Sequence, residues 1–248
     1  MSEWFRSAFG AEYLSLYEHR DEAEAKLAVE LLIRVALLQK NSRVLDAPCG
    51  SGRHARAFAL AEMRAIGIDL SRDLLDVAAT SNLPGAPSPC YLRADLRDLP
   101  LKNDSFELVA NLFSSFGYLD TDAQNAAVLH ELARVCRSKG FVVIDFMNAA
   151  RVRMELKPES IRQSTKGCTV QERRWISSNP LRVNKETIAV SSAGERKQFH
   201  ESVRLFTPDE LELMMNTAGV PVQSVLGNYS GGKWTIKSPR LILIGKKR

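Results

Sequence analysis

The sequence is short of cysteine and lacks both long apolar runs and runs of like charge, and each shortage removes a class of protein. Four cysteines occur among 248 residues, Cys49, Cys90, Cys136 and Cys168, far apart and without a C-x-x-C pair. That spacing suggests neither a zinc cage nor a secreted disulfide framework, and it points to a reduced intracellular compartment. No stretch approaches the roughly 18 apolar residues needed to span a bilayer. The first dozen residues carry no basic region followed by an apolar run, so no leader is expected. The localisation read from sequence is therefore cytoplasmic, with no membrane partner. Lys and Arg number 34 against 29 Asp and Glu, giving a net charge of +5 and a pI near 9.1. The two signs are interspersed, which disfavours nucleic acid as a partner and reads as an ordinary solvated surface. There is no internal repeat and no low-complexity tract.

What is present is enough apolar sequence, 45% of the residues, for one ordinary globular core with a lobe attached. Residues 11–40 read as helical, more readily as two helices than one, with Leu27, Leu31, Leu32, Val35 and Leu38 at mostly helical spacing and Asp21 as a plausible cap. The period then changes. Short apolar strands are expected at Arg43–Asp46, Ala65–Asp69, Cys90–Ala94, Phe106–Ala110 and Phe141–Phe146. Helices are expected at Gly52–Met63, at Ser71–Thr80 with Ser71 as cap, and at Thr121–Arg137, which Ser138-Lys139-Gly140 would end. Parallel strands with helical crossovers imply an α/β, Rossmann-like, doubly wound sheet. From Arg151 to Phe206 the pattern alternates at period two, with turn signals at Ser178-Asn179-Pro180 and Ala193-Gly194, as antiparallel strands do. Thr207-Pro208-Asp209-Glu210 starts a last helix with a capping box, and strands at Val222–Leu226 and Leu241–Gly245 close the chain. The expected organisation is a helical cap over 1–40, a cofactor-binding core over 41–150, an antiparallel β insertion over 151–206 and a completion of the core sheet over 207–248.

The chemistry gathers at strand ends. The first strand closes on Asp46, and Ala47-Pro48-Cys49-Gly50-Ser51-Gly52 leads straight into a helix, so a glycine turn and helix N-terminal amides sit at the carboxyl edge of the sheet. The spacing is neither the dinucleotide G-x-G-x-x-G nor a phosphate-binding loop, which favours a nucleoside without phosphates over a pyrophosphate. Asp69, followed by Leu70, ends the second strand, where a carboxylate can accept from two ribose hydroxyls. Asp95 closes the third, positioned for an adenine amino group, with Leu96 to pack on the ring. Any one of these acids alone reads as a turn or helix cap; three in register make a nucleoside pocket.

These motifs carry a resemblance. V-L-D-A-P-C-G-S-G-R-H, G-I-D-L-S, R-A-D-L-R-D-L-P, F-E-L-V-A-N-L-F-S-S-F-G-Y and G-F-V-V-I-D resemble, in order, the motifs of class I S-adenosylmethionine-dependent methyltransferases, over about Leu14 to Asn148. The resemblance implies a seven-stranded sheet with an antiparallel last strand, and S-adenosyl-L-methionine as cofactor with S-adenosyl-L-homocysteine as product. It further implies that Asp46, Ala47, Pro48, Gly50 and Gly52 line the methionine portion, with Asn111 beneath it, while Asp69 takes the ribose and Asp95 with Leu96 the adenine. The N-terminal Y-L-S-L-Y-E-H-R is similar to a helix of small-molecule methyltransferases, the glycine N-methyltransferase type among them. On that likeness Tyr13, Tyr17 and Arg20 are cofactor candidates; the other reading is an amphipathic surface helix.

Methyl transfer from a sulfonium is an in-line displacement that needs no metal, and a base only where the acceptor carries a proton that must leave. Candidates for that base are Tyr17, His19, Tyr118 and His200, the last of which equally decorates a strand. The segment after Asn111 lacks the Pro-Pro-aromatic run usual in enzymes acting on exocyclic amines of nucleic-acid bases, which argues against such a substrate. Ser114 stands where the glycine N-methyltransferase type carries a substrate-binding Asn, so amino-acid specificity does not transfer. Ser114, Tyr118, Asn148, Arg204 and Tyr229 are placed to reach a small-molecule substrate, with the insertion as its roof. The sequence is silent on oligomeric state. RNA or protein as acceptor, and a nicotinamide dehydrogenase or a catalytically silent nucleoside-binding module, are the rival readings.

Overall fold

The computed structural model describes residues 3–10, 22–82, 85–164 and 167–248. The chain enters through a short helix α1 (Phe5–Ala8) and a longer α2 (Glu22–Ala36). Then come β1 (Arg43–Asp46), α3 (Arg53–Leu60), β2 (Arg64–Asp69), α4 (Arg72–Thr80), β3 (Cys90–Arg93) and β4 (Phe106–Asn111). Helix α5 (Asp122–Val135) runs directly into β5 (Cys136–Met147), and α6 (Ala149–Glu155) precedes four strands, β6 (Glu159–Gln163), β7 (Thr169–Ser177), β8 (Arg182–Val190) and β9 (Arg196–Arg204). Helix α7 (Pro208–Thr217), β10 (Val222–Leu226) and β11 (Arg240–Lys246) complete the chain.

Seven strands form one sheet in the order β10-β11-β5-β4-β1-β2-β3, and β6 to β9 form a second, wholly antiparallel sheet. Within the large sheet only β11 runs against its neighbours, pairing antiparallel with β5 and β10. The expected Rossmann-like sheet with a reversed last strand and an antiparallel sheet inserted after the fifth strand is thus what the chain builds.

The reason lies in strand alternation. On β1, Val44 faces a layer made by α2 and α3, with Val29, Leu32 and Phe58, whereas Leu45 faces the opposite layer, with Leu129 and Leu132 of α5 and Leu211 and Met215 of α7. All of these side chains are essentially inaccessible to solvent, and each contributes about 1.5–3 kcal/mol over exposure. A sheet buried on both faces admits only apolar strands, which is why these segments showed no polar alternation.

The helix starts follow the expected chemistry. Ser71 Oγ accepts from Leu74 N at 3.2 Å, and Thr207 with Glu210 closes a full capping box ahead of Pro208. Two expectations shift. The helix stops at Val135 and the fifth strand starts at Cys136 rather than Phe141, because Arg137, expected to be helical, and Ser138–Gly140, expected to end the helix, form an irregular stretch in which Phe106 pairs with Cys136 but Leu108 with Phe141. Gly140 permits this: a Cβ there would lie 2.8 Å from Cys136 Sγ and 3.0 Å from the Phe106 carbonyl. The insertion also opens with helix α6, capped by Asn148, before its strands begin.

Candidate active site

The parallel strands β1, β2, β3 and β4 end together, so the acids and the amide that close them, Asp46, Asp69, Asp95 and Asn111, share one edge of the sheet. A cavity of about 440 Å³ opens there, within the size range of small-molecule and cofactor sites. Of the residues singled out in the sequence, Pro48, Gly50, Asp69, Leu70, Asp95, Leu96 and Tyr118 line it. Asp46, Ala47, Gly52 and Asn111 are buried and are not among its lining residues. Tyr13, Tyr17, His19 and Arg20 lie outside the described residues.

Each acid is held differently. Asp69 Oδ2 accepts from Gly50 N at 2.8 Å and Oδ1 from Ser71 N at 2.9 Å, so one carboxylate ties the glycine turn to the start of α4. Burial raises its pKa, opposed by these amide bonds. Asp95 is gripped by Arg97 through two bonds of 3.0 and 2.6 Å. Burial alone would raise its pKa, but the guanidinium holds it below the usual carboxylate range.

Asp46 is fully enclosed, and its Oδ2 accepts from Ala55 N at 3.1 Å. Its Oδ1 has no partner among the described residues, and neither has Asn111 Oδ1, whose amide nitrogen donates to the Ala47 carbonyl at 2.9 Å. Burial pushes Asp46 up to about 8, with the Asp69 charge adding to the shift and the Ala55 amide opposing it. Two buried acceptors without donors, on adjacent strands β1 and β4, are complementary to an ammonium group, reached directly or through a water.

Gly52 shows why the turn must be glycine. Its φ is +78°, and a Cβ would lie 2.8 Å from Tyr91 Cζ and 2.9 Å from Ala78 Cβ, so both the backbone and the space exclude a side chain.

The far wall is aromatic. The Phe9 ring stacks on Tyr118 at 5.5 Å and 25°, Trp4 meets Tyr118 at 5.0 Å, and Phe5, Phe113 and Phe116 join the lining. Sequence reasoning missed Trp4, Phe5 and Phe9, since an aromatic in an N-terminal segment carries no periodic signal of where it folds back. It also missed Arg182, which donates to the Leu119 carbonyl at 3.1 Å and so fastens β8 to the cavity-lining loop after β4.

The remaining candidates lie elsewhere. Arg204 is buried, with bonds to Asp122, Glu210 and the Leu205 carbonyl. Asn148 Nδ2 donates to the carbonyls of Thr235, Ile236 and Ser238, and the residue borders a second hollow of about 450 Å³. Tyr229 donates to Asp145 and Ser114 faces Arg240. His200 is exposed on β9, 6.0 Å from the Trp175 ring.

Residues 44–140 match the family model described as a methyltransferase domain. The chain is 25% identical over 204 residues to cypemycin N-terminal methyltransferase of Streptomyces sp, covering 81% of each chain. It is 28% identical over 199 residues to dTDP-3-amino-3,6-dideoxy-alpha-D-glucopyranose N,N-dimethyltransferase of Streptomyces fradiae, covering 77% of this chain and 75% of that one. The solved structure of the CcbJ methyltransferase from Streptomyces caelestis superposes with a TM-score of 0.83 at 17% identity, over 100% of this chain and 99% of the other. With the motifs in order, the sheet they predict and two orphaned acceptors at the strand ends that suit its cofactor, the chain is a class I S-adenosylmethionine-dependent methyltransferase.

Proposed function

We propose that this enzyme transfers the methyl group to a nitrogen, oxygen or sulfur of a small-molecule acceptor by in-line displacement, with an amine the favoured class. The observation that carries the reading is the aromatic lining of the cavity: Phe5, Phe9 and Tyr118 line it, with Trp4 packed against Phe9 and Tyr118, and Arg182 ties the antiparallel sheet to the lining residue Leu119. Such a site suits a small apolar-faced acceptor and leaves little room for a folded macromolecule. Among its relatives, one acts on an amino sugar and one on a peptide N-terminus, by their names, which supports nitrogen.

In this reading residues 151–206 roof the acceptor. Asp69 accepts from the ribose, Leu96 packs on the adenine, and the Asp46 and Asn111 oxygens face the methionine ammonium. S-Adenosylmethionine, when bound, supplies an electrophilic methyl on a sulfonium. The protein's part is to hold acceptor and cofactor in line, and positioning of this kind is worth about 7 to 11 kcal/mol of a barrier. The Tyr118 hydroxyl, on the aromatic wall, is the described candidate for taking a proton from the acceptor.

Incubation with S-adenosylmethionine and, separately, the dTDP-amino sugar, a peptide with a free N-terminus and total RNA is expected to give methylated small amine, read by mass spectrometry. Methylation of RNA or protein alone would overturn the proposal.

The raised Asp46 pKa makes a second expectation. Its folded value, about 8, lies above the ordinary 3.8, so at neutral pH the folded apo-enzyme holds a proton that the unfolded chain has released. This group therefore lowers stability as pH rises from about 4 to about 8. An ammonium ligand favours the carboxylate, so binding of S-adenosylhomocysteine is expected to release a proton at neutral pH and to tighten as pH approaches 8. Calorimetry in buffers of different ionisation enthalpy reads the proton, and Asp46→Asn should abolish its release.

A further inference from the structure

The loop after β4 contains two consecutive residues, Phe113 and Ser114, with φ of +58° and +62°. Neither is glycine, and side chains rarely adopt this left-handed conformation unless the surroundings impose it. The surroundings are a buried cluster on β5 and the C-terminal strand. Asp145, fully enclosed, receives Phe113 N on Oδ2 at 2.9 Å, and its backbone carbonyl receives Ser114 N at 2.9 Å. Both strained residues are thus anchored on one partner.

That partner is fixed in turn. Arg240 spans the carboxylate with bonds of 2.8 and 2.9 Å and touches Ser114 Oγ at 3.3 Å. The Tyr229 hydroxyl donates to Oδ2 at 2.6 Å, and burial followed by the Asp145 charge keeps that hydroxyl protonated and donating. Two guanidiniums approach the Phe113 ring, Arg240 at 5.1 Å and Arg53 at 5.0 Å from its centre. Arg53 is the first residue of α3, directly after the glycine turn, and Phe113 lines the cavity together with Pro48 and Gly50. Through Arg53 the Phe113 side of the cavity is thus tied to the glycine turn, the part assigned above to the methionine portion.

We infer that Asp145, Arg240 and Tyr229 are positioning residues for methyl transfer: they clamp the Phe113–Ser114 turn in its left-handed form so that the wall beside the sulfonium keeps one shape. The inference rests on the orientation of the cofactor given above. It is independent of which acceptor is used, and it requires that loosening the clamp be felt at the methyl position more than along the nucleoside.

The test uses two probes that need no acceptor, S-adenosylhomocysteine and sinefungin, which carries an amine-bearing carbon where the methylated sulfur would be. In Tyr229→Phe, amide exchange across Leu112–Tyr118 is expected to accelerate. Sinefungin affinity should fall about tenfold, the order of one lost hydrogen bond to a charged group, with S-adenosylhomocysteine affinity unchanged. Ser114→Gly in the Tyr229→Phe background should restore sinefungin binding, since glycine adopts positive φ without the clamp. Ser114→Ala, which also removes Oγ but keeps Cβ, should not. Should Tyr229→Phe fail to fold, Arg240→Lys, which keeps the charge, is expected to give the same pattern. Parallel loss of both ligands, unchanged exchange, or equal behaviour of the glycine and alanine variants would overturn the inference.

Discussion

Asp69→Ala is expected to weaken S-adenosylhomocysteine binding by at least about a hundredfold while leaving the far-ultraviolet circular dichroism close to that of the parent. The carboxylate accepts from Gly50 N and Ser71 N, so its loss frees the glycine turn and the start of α4 together and removes the acceptor proposed for the ribose. Hydrogen bonds to a charged group are worth about 1.5–3 kcal/mol each, and two such losses at the ligand reach that figure. The core does not depend on Asp69, because Leu45, Ile68 and Val109 behind it stay packed. Calorimetry against S-adenosylhomocysteine checks the result; binding within a few-fold of the parent would remove Asp69 from the site.

Arg240→Met is expected to cause the largest loss of stability of any single change at the sheet edge. The variant leaves Asp145 fully buried with its Tyr229 and amide donors but no counter-charge, and breaking a buried pair in this way costs about 3–5 kcal/mol. For a chain of this size about 1 kcal/mol moves Tm by roughly 2–4 °C, so a fall on the order of 10 °C is expected by differential scanning calorimetry. Arg240→Met combined with Asp145→Leu should recover part of that loss, because an apolar pair of similar volume removes the unpaired charge. A single variant as stable as the parent would show that the ion pair adds little to the fold.

The acids at the strand ends were legible in sequence for a physical reason. A parallel strand is short, apolar and buried on both faces, so a polar residue can stand only where the strand ends, and Asp46, Asp69 and Asp95 each marked such an end. The capping box was equally local, since Thr207 and Glu210 recognise each other across three residues. The opposite wall was not legible. Phe9 meets Tyr118 across more than a hundred residues, and Asp145 meets Tyr229 and Arg240 across 84 and 95. Arg204 and Asn148 illustrate the reverse: polar residues in the expected region whose donors the fold has already engaged with Asp122, Glu210 and the 235–238 carbonyls.

By itself, then, the sequence determined the order of the strands and helices of the core sheet, the glycine turn and the acids at the strand ends, because these follow from periodicity, turn chemistry and capping within a few residues. Only the tertiary structure decided that N-terminal aromatics line the cavity, that the inserted sheet is fastened to the loop after β4, and that a buried ion pair holds that loop in a strained form. Those features are contacts between residues remote in the chain, and burial and charge pairing between remote residues exist only once the sheet has brought them together.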